Sequence, residues 1–187
     1  DSAVRGVEKA EKELGIDLTI IEYGANPDKY DSTIVEAGEG NYDMVIVSSI
    51  LVDQVAKYAP EFTDTTWVIF DGEVDYDADD YSNVYSIIYS ANEGAFLGGF
   101  LSASISEAGT LGFLGGTDAP IINDFLLGYI QGAQVANPDI KIAVNYAGAF
   151  NDPAKGKELS LAMNGQGADM IFNVAGGTGV GLIEAAV

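Results

Sequence analysis

The sequence contains neither cysteine nor histidine, and these two absences exclude much enzyme chemistry. There can be no thiol nucleophile, no disulfide, no thiolate or imidazole zinc site and no Ser-His-Asp triad. Catalysis would have to depend on carboxylates, lysine, tyrosine or a hard metal ion. We therefore expect a binding protein without a cofactor rather than an enzyme.

Basic residues are also scarce: 8 Lys and Arg stand against 29 Asp and Glu, for a net charge of −21. Nucleic-acid binding needs basic patches that displace counterions, so it is disfavoured, as is adhesion to anionic lipid. A strongly acidic surface fits an extracytoplasmic protein or one from a salty environment. No apolar run approaches the roughly 20 residues of a membrane span. The opening residues have a helical pattern rather than that of a signal peptide.

Apolar residues make up 48% of the chain, enough for a folded protein, and short apolar runs alternate with helical patterns. The predicted strands are 18–22, 44–48, 66–70, 84–89, 111–115, 141–146 and 170–175. The predicted helices are 3–14, 28–39, 51–58, 92–106, 121–136 and 154–166, with another from about 179. Repeated βα units with near-continuous apolar strands imply an α/β fold with parallel sheets covered by helices on both faces.

Two doubly wound lobes can be distinguished. An acidic loop at 73–83 precedes the strand at 84–89, and a new series of βα units starts at Leu111. Division of the chain after residue 89 gives an N-terminal lobe at 1–89 and a C-terminal lobe at 90–187, with a cleft between them. Such a lobe usually starts with a strand, but this sequence starts and ends in helical patterns. We therefore expect the first strand and the C-terminal segment of the fold to be absent.

Four glycines follow the last predicted strand, in the segment DMIFNVAGGTGVG at 169–181. They remove every Cβ where the chain turns into a helix, so a ligand could approach main-chain N–H groups. Ligands of open α/β sheets bind at this carboxyl edge of the strands. The alternative is a tight turn without a ligand. A dinucleotide fingerprint is only weakly indicated, because it belongs in a first βα unit.

Phe150 lies in the segment AGAFNDPAKGK, after the strand at 141–146. Asp152 and Pro153 predict a helix start, as N-cap and first helical residue. Phe150 therefore falls in a loop at the carboxyl end of a strand, where an exposed ring could stack on a planar ligand. The alternative is a ring folded back into the core.

Two polar residues are further candidates by position. Asp71 ends a predicted strand and could accept hydrogen bonds from ligand hydroxyls, or cap the next turn. Asn92 could cap the helix in NEGAFLGGFLSA, at the boundary between the lobes. In that helix we expect Phe96, Phe100 and Ala103 to be buried. Its three glycines indicate a closely packed backbone neighbour; they are Gly94, Gly98 and Gly99.

In the acidic loop, aspartates alternate with other residues as they do in a calcium-binding loop. They are Asp75, Asp77, Asp79 and Asp80. The pattern fails, because the sixth position has no glycine and the twelfth is Ser86 rather than glutamate. A solvated acidic loop without metal is the favoured interpretation.

Taken together, four blocks resemble the basic membrane protein family, the PnrA-like purine-nucleoside-binding lipoproteins of ABC transporters. The blocks are NEGAFLGGFLSA, GTLGFLGGTDAPIINDFLLGYIQGA, YAGAFNDPAKGKELS and GADMIFNVAGGTGVG. The opening residues and the segment at 41–71 are similar as well, so the resemblance covers essentially the whole chain.

The resemblance implies a type I periplasmic-binding-protein fold and a role as an extracytoplasmic, membrane-anchored solute-binding protein. The expected partners are a purine nucleoside and an ABC permease, with lobe closure around the ligand. Phe150 matches the aromatic residue that stacks on the base, and Gly176 and Thr178 match a turn whose backbone lines the pocket. Asp71 is the best match for an acidic ligand-facing residue, and Asn92 is included on position.

The resemblance also implies that about half of the expected pocket lies outside this sequence, so we expect the chain alone to bind ligand poorly. Two alternatives stay open. One is a binding-protein fold reused as a self-assembling surface subunit, in which a missing strand position accepts a neighbour's strand. The other is a nucleoside-processing enzyme with Asp71 as its base.

Overall fold

The structure is a computed structural model that describes residues 2–24 and 26–186. The chain divides into two compact units, Asp1–Ile88 (unit 1) and Tyr89–Val187 (unit 2). Each contains a three-stranded parallel sheet, so the predicted α/β class is confirmed. Within the described residues, no helix is long and apolar enough to cross a membrane.

The described residues of unit 1 form three α-helices and three strands, besides short 3₁₀ helices. They are α1 (Ser2–Leu14), α2 (Tyr30–Glu39), β1 (Met44–Ser48), α3 (Val52–Tyr58), β2 (Thr66–Phe70) and β3 (Val84–Ile87). The strand order is β1-β2-β3. Its core lies on one sheet face, where Trp67 and Ile69 of β2 are fully buried against α2 and α3. On the opposite face of β1, Met44 and Ile46 are about half exposed.

The predicted strand at 18–22 is wrong. This segment has no strand conformation, and no backbone hydrogen bond joins it to β1 within the described residues. An apolar run becomes a strand only where its N–H and C=O groups pair with a neighbour. Here the connection contributes side chains alone, since Ile21 and Tyr23 pack against the core. The strand predicted at 84–89 also ends earlier, at Ile87.

In the part of unit 2 that the structure describes there are four α-helices and three strands, besides one 3₁₀ helix. They are α4 (Ala91–Ile105), β4 (Thr110–Gly115), α5 (Pro120–Ala136), β5 (Lys141–Tyr146), α6 (Pro153–Gly165), β6 (Met170–Val174) and α7 (Val180–Ala185). Central β4 pairs with β5 on one side and β6 on the other. Phe113 faces a core formed with α4 and α5, whereas Leu114 faces one formed with α6. Both faces of this sheet are therefore covered, which explains why β4 is almost continuously apolar.

Helices α4 and α5 pack through glycines that face main-chain carbonyl groups. A Cβ atom on Gly99 would overlap the carbonyl of Tyr129, and one on Gly132 would overlap that of Phe96. The predicted close packing is thus confirmed at Gly99. It is wrong at Gly94, where a Cβ atom would have no atom of another element within 4 Å.

The predicted burial along α4 is correct for only part of the helix. Ala103 is buried, and Ala95 and Gly99 share its face, but Phe96 is only half-buried and Phe100 is 44% exposed. The backbones of α4 and α5 approach so closely that only small side chains fit between them. The large ring of Phe100 is consequently placed beside the contact rather than in it.

Candidate ligand-binding site

The carboxyl edge of the unit 2 sheet brings three loops together. Gly115, Tyr146 and Val174 end the three strands and lie in register across the sheet. The β4–α5, β5–α6 and β6–α7 loops therefore start side by side. This is the edge at which parallel α/β sheets bind ligands.

Phe150 lies in the β5–α6 loop and is 39% exposed. The loop ends at α6, where the Asp152 carboxylate accepts a hydrogen bond from the Lys155 N–H at 2.9 Å and Pro153 is the first helical residue. The predicted helix start is therefore confirmed. The ring lies against Gly116, because a Cβ atom there would overlap it. It is held at the sheet edge rather than enclosed in the core.

The glycine turn after β6 forms a second side of this arrangement. It is a 3₁₀ helix, Gly176–Gly179, that leads directly into α7. Gly176 has a φ of +54°, and a Cβ atom on it would lie 3.6 Å from Cδ1 of Phe150. A Cβ atom on Gly177 would lie 3.1 Å from the Phe150 carbonyl oxygen. Gly176 and Gly177 are themselves exposed, so their backbone is accessible beside the ring.

Thr178 is fully buried and joins the turn to the Phe150 loop. Its hydroxyl donates to the carbonyl of Ala149 and accepts from the N–H of Asp152, both at 2.9 Å. Its own N–H donates to the carbonyls of Phe150 and Ala175. The donor groups of Thr178 are thus already used inside the protein, and its evident task is to position the loop that carries Phe150.

Three polar residues at the same edge were missed by the sequence reasoning. Tyr146 donates its phenol hydrogen to Oδ1 of Asn123, and Nδ2 of Asn123 donates to Asp118 at 2.8 Å. Burial, with a smaller contribution from the Asp118 charge, raises the pKa of Tyr146, so its phenol stays protonated at neutral pH. The available signal was that β4 and β5 end at one edge, which places the residues after Gly115 beside Tyr146.

Asn92 does not cap α4, so that prediction is wrong. The helix begins at Ala91 and its N-cap is Ser90, which has non-helical backbone angles and whose carbonyl accepts from Glu93. Asn92 is exposed within the first turn. Its carbonyl lies against Gly128 of α5, where a Cβ atom would overlap it. The helix therefore begins two residues earlier than the capping prediction required.

In unit 1, Asp71 follows β2 at the carboxyl edge of that sheet. Its φ of +60° is uncommon for a residue other than glycine, although aspartate tolerates it better than most. Its N–H donates to the Ile87 carbonyl at 2.9 Å. The next residue, Gly72, has space for no side chain, because a Cβ atom would lie 2.9 Å from that of Ser49. Asp71 is therefore held in one backbone conformation, with its side chain half-buried.

The acidic loop of unit 1 uses its carboxylates to form turns. Asp75, Asp79 and Asp80 accept backbone N–H groups from Asp77, Asp80 and Ser82, respectively. Among the residues that the structure describes, no group of three or more acidic side chains is arranged to hold a metal ion. Three of the four aspartates therefore have local backbone partners for their carboxylates.

The family follows from the whole sequence. Residues 1–187 match the family described as ABC transporter substrate-binding protein PnrA-like. The chain belongs to this family. Basic membrane protein A of Borreliella burgdorferi is 34% identical over 187 residues, which are 100% of this chain and 54% of that protein. The chain thus spans about half the length of the curated relatives it matches from end to end.

A further relative has a functional name. The ABC transporter nucleoside-binding protein BmpA of Lactococcus lactis is 40% identical over 85 residues, which are 46% of this chain and 24% of that protein. The ligand class in this name is that of the Lactococcus lactis protein.

Solved structures agree with the fold. ABC transporter system solute-binding proteins from Aeropyrum pernix K1 superpose with a TM-score of 0.88 at 28% identity, over 98% of this chain and 52% of that one. A periplasmic solute-binding protein from Actinobacillus succinogenes has a TM-score of 0.77 at 17% identity, over 98% of this chain and 66% of that one. The fold is therefore that of the type I periplasmic solute-binding proteins.

Proposed function

We propose that this chain is part of an extracytoplasmic solute-binding protein that captures a purine nucleoside for an ABC transporter. The observation that carries the proposal is the partly exposed ring of Phe150, fixed at the carboxyl edge of the unit 2 sheet between Gly116 and the glycine turn. An exposed aromatic face at such an edge suits a planar heterocycle. The name of the Lactococcus lactis relative favours a nucleoside over other planar ligands.

The charges near Phe150 favour a neutral ligand over a phosphorylated one. Asp118 lies at the same edge, and Lys155 of the adjoining helix pairs with Glu158 at 2.8 Å. A phosphate group would be repelled by the carboxylate and by the net charge of −21. A nucleoside has the ring and hydroxyl groups without that charge.

Five residues are proposed as ligand-binding or ligand-adjacent. Phe150 would stack on the base, and Gly176 would present main-chain groups beside it. Thr178 would act by positioning the Phe150 loop. Asp71 would accept hydrogen bonds from ligand hydroxyls in unit 1, and Asn92 is proposed on its exposed position in α4 alone.

The test is isothermal titration calorimetry on the full-length protein with inosine, adenosine, uridine, inosine monophosphate and D-ribose. We expect saturable binding of the purine nucleosides and at least tenfold weaker binding of the monophosphate. Binding of D-ribose or uridine in preference to purine nucleosides would contradict the ligand class. Failure of every compound would contradict the proposed function itself.

The transporter role implies a permease partner and a lipid-anchored position outside the cytoplasmic membrane. Fractionation of the source cells with detection of the native protein tests the location. We expect to recover the protein in the membrane fraction and to release it with detergent. In cells without an outer-membrane barrier, it should be accessible to added protease. Recovery only in the cytoplasm would contradict it.

A second candidate function, self-assembly, is favoured by one observation. On one face of the unit 1 sheet, β1 and β3 carry apolar residues that are about half exposed. These residues are Met44, Ile46, Tyr85 and Ile87. Native mass spectrometry of the full-length protein would show oligomers if this face joins copies, whereas a monomer would exclude the idea.

A further inference from the structure

The hydrogen-bonded set Asp118–Asn123–Tyr146 fixes the orientation of one exposed amide. A carboxylate can only accept hydrogen bonds, so the nitrogen of Asn123 must face Asp118. Its oxygen then faces the phenol of Tyr146, which is protonated and donates to it. The two ends of the amide are thereby assigned by chemistry, because a flipped amide would place oxygen against carboxylate.

The amide retains unused hydrogen-bonding capacity. An asparagine side chain has two N–H donors and an oxygen with two lone pairs. Asp118 takes one donor and Tyr146 one lone pair, which leaves one donor and one acceptor on an exposed side chain. Such a donor–acceptor pair in a fixed orientation is suited to reading the polar edge of a heterocycle.

Tyr146 of this set and Phe150 contact two consecutive glycines at the end of β4, from the two faces of the sheet. A Cβ atom on Gly115 would lie 2.6 Å from Cδ1 of Tyr146, and one on Gly116 would overlap the ring of Phe150. The Cα atoms of consecutive residues are about 3.8 Å apart. The phenol that orients Asn123 and the ring proposed to stack on the ligand therefore flank the same end of β4.

Asn123 is also placed on a rigid element. It lies in the first turn of the 17-residue helix α5, and its N–H donates to the Ala119 carbonyl at 3.0 Å. Groups on helices keep their position better than groups on loops, which specificity requires.

We propose that Asn123, oriented by Asp118 and Tyr146, is the residue that reads the polar edge of the ring stacked on Phe150. It is a specificity-determining residue, and Asp118 and Tyr146 are positioning residues that act through it. This inference rests on the proposed function of a nucleoside-binding protein. It adds a residue that discriminates among purines.

The experiment compares three ligands that differ along one edge of the purine ring. Inosine has an oxygen at position 6 and a hydrogen on N1, adenosine has an amino group at position 6, and purine riboside has only hydrogen there. Dissociation constants are measured by calorimetry for the full-length protein and for Asn123→Ala. We expect the native protein to bind inosine or adenosine about 10-fold more tightly than purine riboside, and Asn123→Ala to bind all three alike.

Matched variants separate recognition from structure. Gln131→Ala removes an exposed amide two turns further along α5 and should leave all three constants unchanged. Tyr146→Phe and Asp118→Asn release the amide orientation and should reduce the discrimination between ligands, with little change for purine riboside. Thermal unfolding of each variant establishes that the protein is folded.

The possible failures are distinct. An equal loss for all three ligands in Asn123→Ala would show a structural role and overturn this inference. Unchanged discrimination in that variant would overturn it as well, while nucleoside binding itself stands. A native protein that binds none of the three would contradict the proposed function, and with it the specificity role.

Discussion

Gly116 and Phe150 occupy complementary space, because the ring of Phe150 fills the volume that a side chain at residue 116 would need. The contact joins the end of β4 to the β5–α6 loop, and it holds an aromatic face at the sheet edge without enclosing it. The orientation of Phe150, the proposed stacking residue, therefore depends on the absence of a side chain at Gly116.

Phe150→Ala in the full-length protein should weaken purine nucleoside binding by about 1–3 kcal/mol, which is the range for stacking of a base on an aromatic side chain. Calorimetry measures the change. Phe150→Tyr keeps the ring and should retain most of the affinity. Equal affinity of Phe150→Ala and the native protein would remove Phe150 from the site.

Gly116→Ala should displace the ring and reduce nucleoside affinity nearly as much as Phe150→Ala does. If the two residues act through one contact, the double variant Gly116→Ala/Phe150→Ala should be no weaker than Phe150→Ala alone. Calorimetry on the three variants completes this cycle. Additive losses would show that Gly116 affects binding by another route than the position of Phe150.

Thr178→Val should destabilise the protein by about 2 kcal/mol, because it removes a fully buried hydroxyl that serves both the Ala149 carbonyl and the Asp152 N–H. Thr178→Ser keeps the hydroxyl and loses one methyl group, for about 1 kcal/mol. Urea unfolding measures both. If Thr178→Val is more stable than Thr178→Ser, the methyl group contributes more at this position than the hydroxyl does.

Asp169 should make unfolding stability depend on pH. Its carboxylate accepts from the N–H of Ala108 at 2.9 Å, from the hydroxyl of Ser106 at 2.7 Å and from the N–H of Glu107 at 2.7 Å. These bonds, that of Ala108 first, lower the pKa of Asp169. A lowered folded-state pKa adds stability above the unfolded value of about 3.9, and this stability is lost as pH falls through the folded value.

The corresponding variant is Asp169→Asn. At pH 7 it should be less stable by about 1 kcal/mol, a modest amount because the side chain is exposed. The difference should shrink below pH 4 in urea unfolding. Asp139→Asn, an exposed carboxylate on the α5–β5 connection, is the control and should show little difference at either pH. A difference at Asp169 that does not change with pH would contradict the charge-based explanation.

Structure follows most directly from sequence where a local pattern determines it. Apolar runs bounded by helical periodicity correctly predicted β1, β2, β4 and β5, and Asp152 with Pro153 correctly predicted the start of α6. The run at 18–22 has the same composition, but no neighbouring strand pairs with it in the described residues. Strand formation depends on a pairing partner that can lie anywhere in a sequence, so the composition of one segment does not decide it.

Site residues could be predicted from the sequence only where a short segment around them is recognisable. Phe150 and the glycine turn stand in recognisable segments, whereas Asn123 appears as an ordinary polar residue of an amphipathic helix. Its role depends on Asp118 five residues before it and Tyr146 twenty-three residues after it. Only the register between β4 and β5 brings these residues together.

Helix α4 offers a test of close packing within a single element. Gly99→Ala should destabilise the protein by about 3 kcal/mol, because the new Cβ would overlap the Tyr129 carbonyl, which belongs to a helix backbone and cannot rotate away. Gly94→Ala has open space and should stabilise it by up to about 1 kcal/mol through helix propensity. Urea unfolding compares the two. If both substitutions stabilise the protein, helix propensity rather than contact with α5 decides their effect, and the close-packing explanation of Gly99 is wrong.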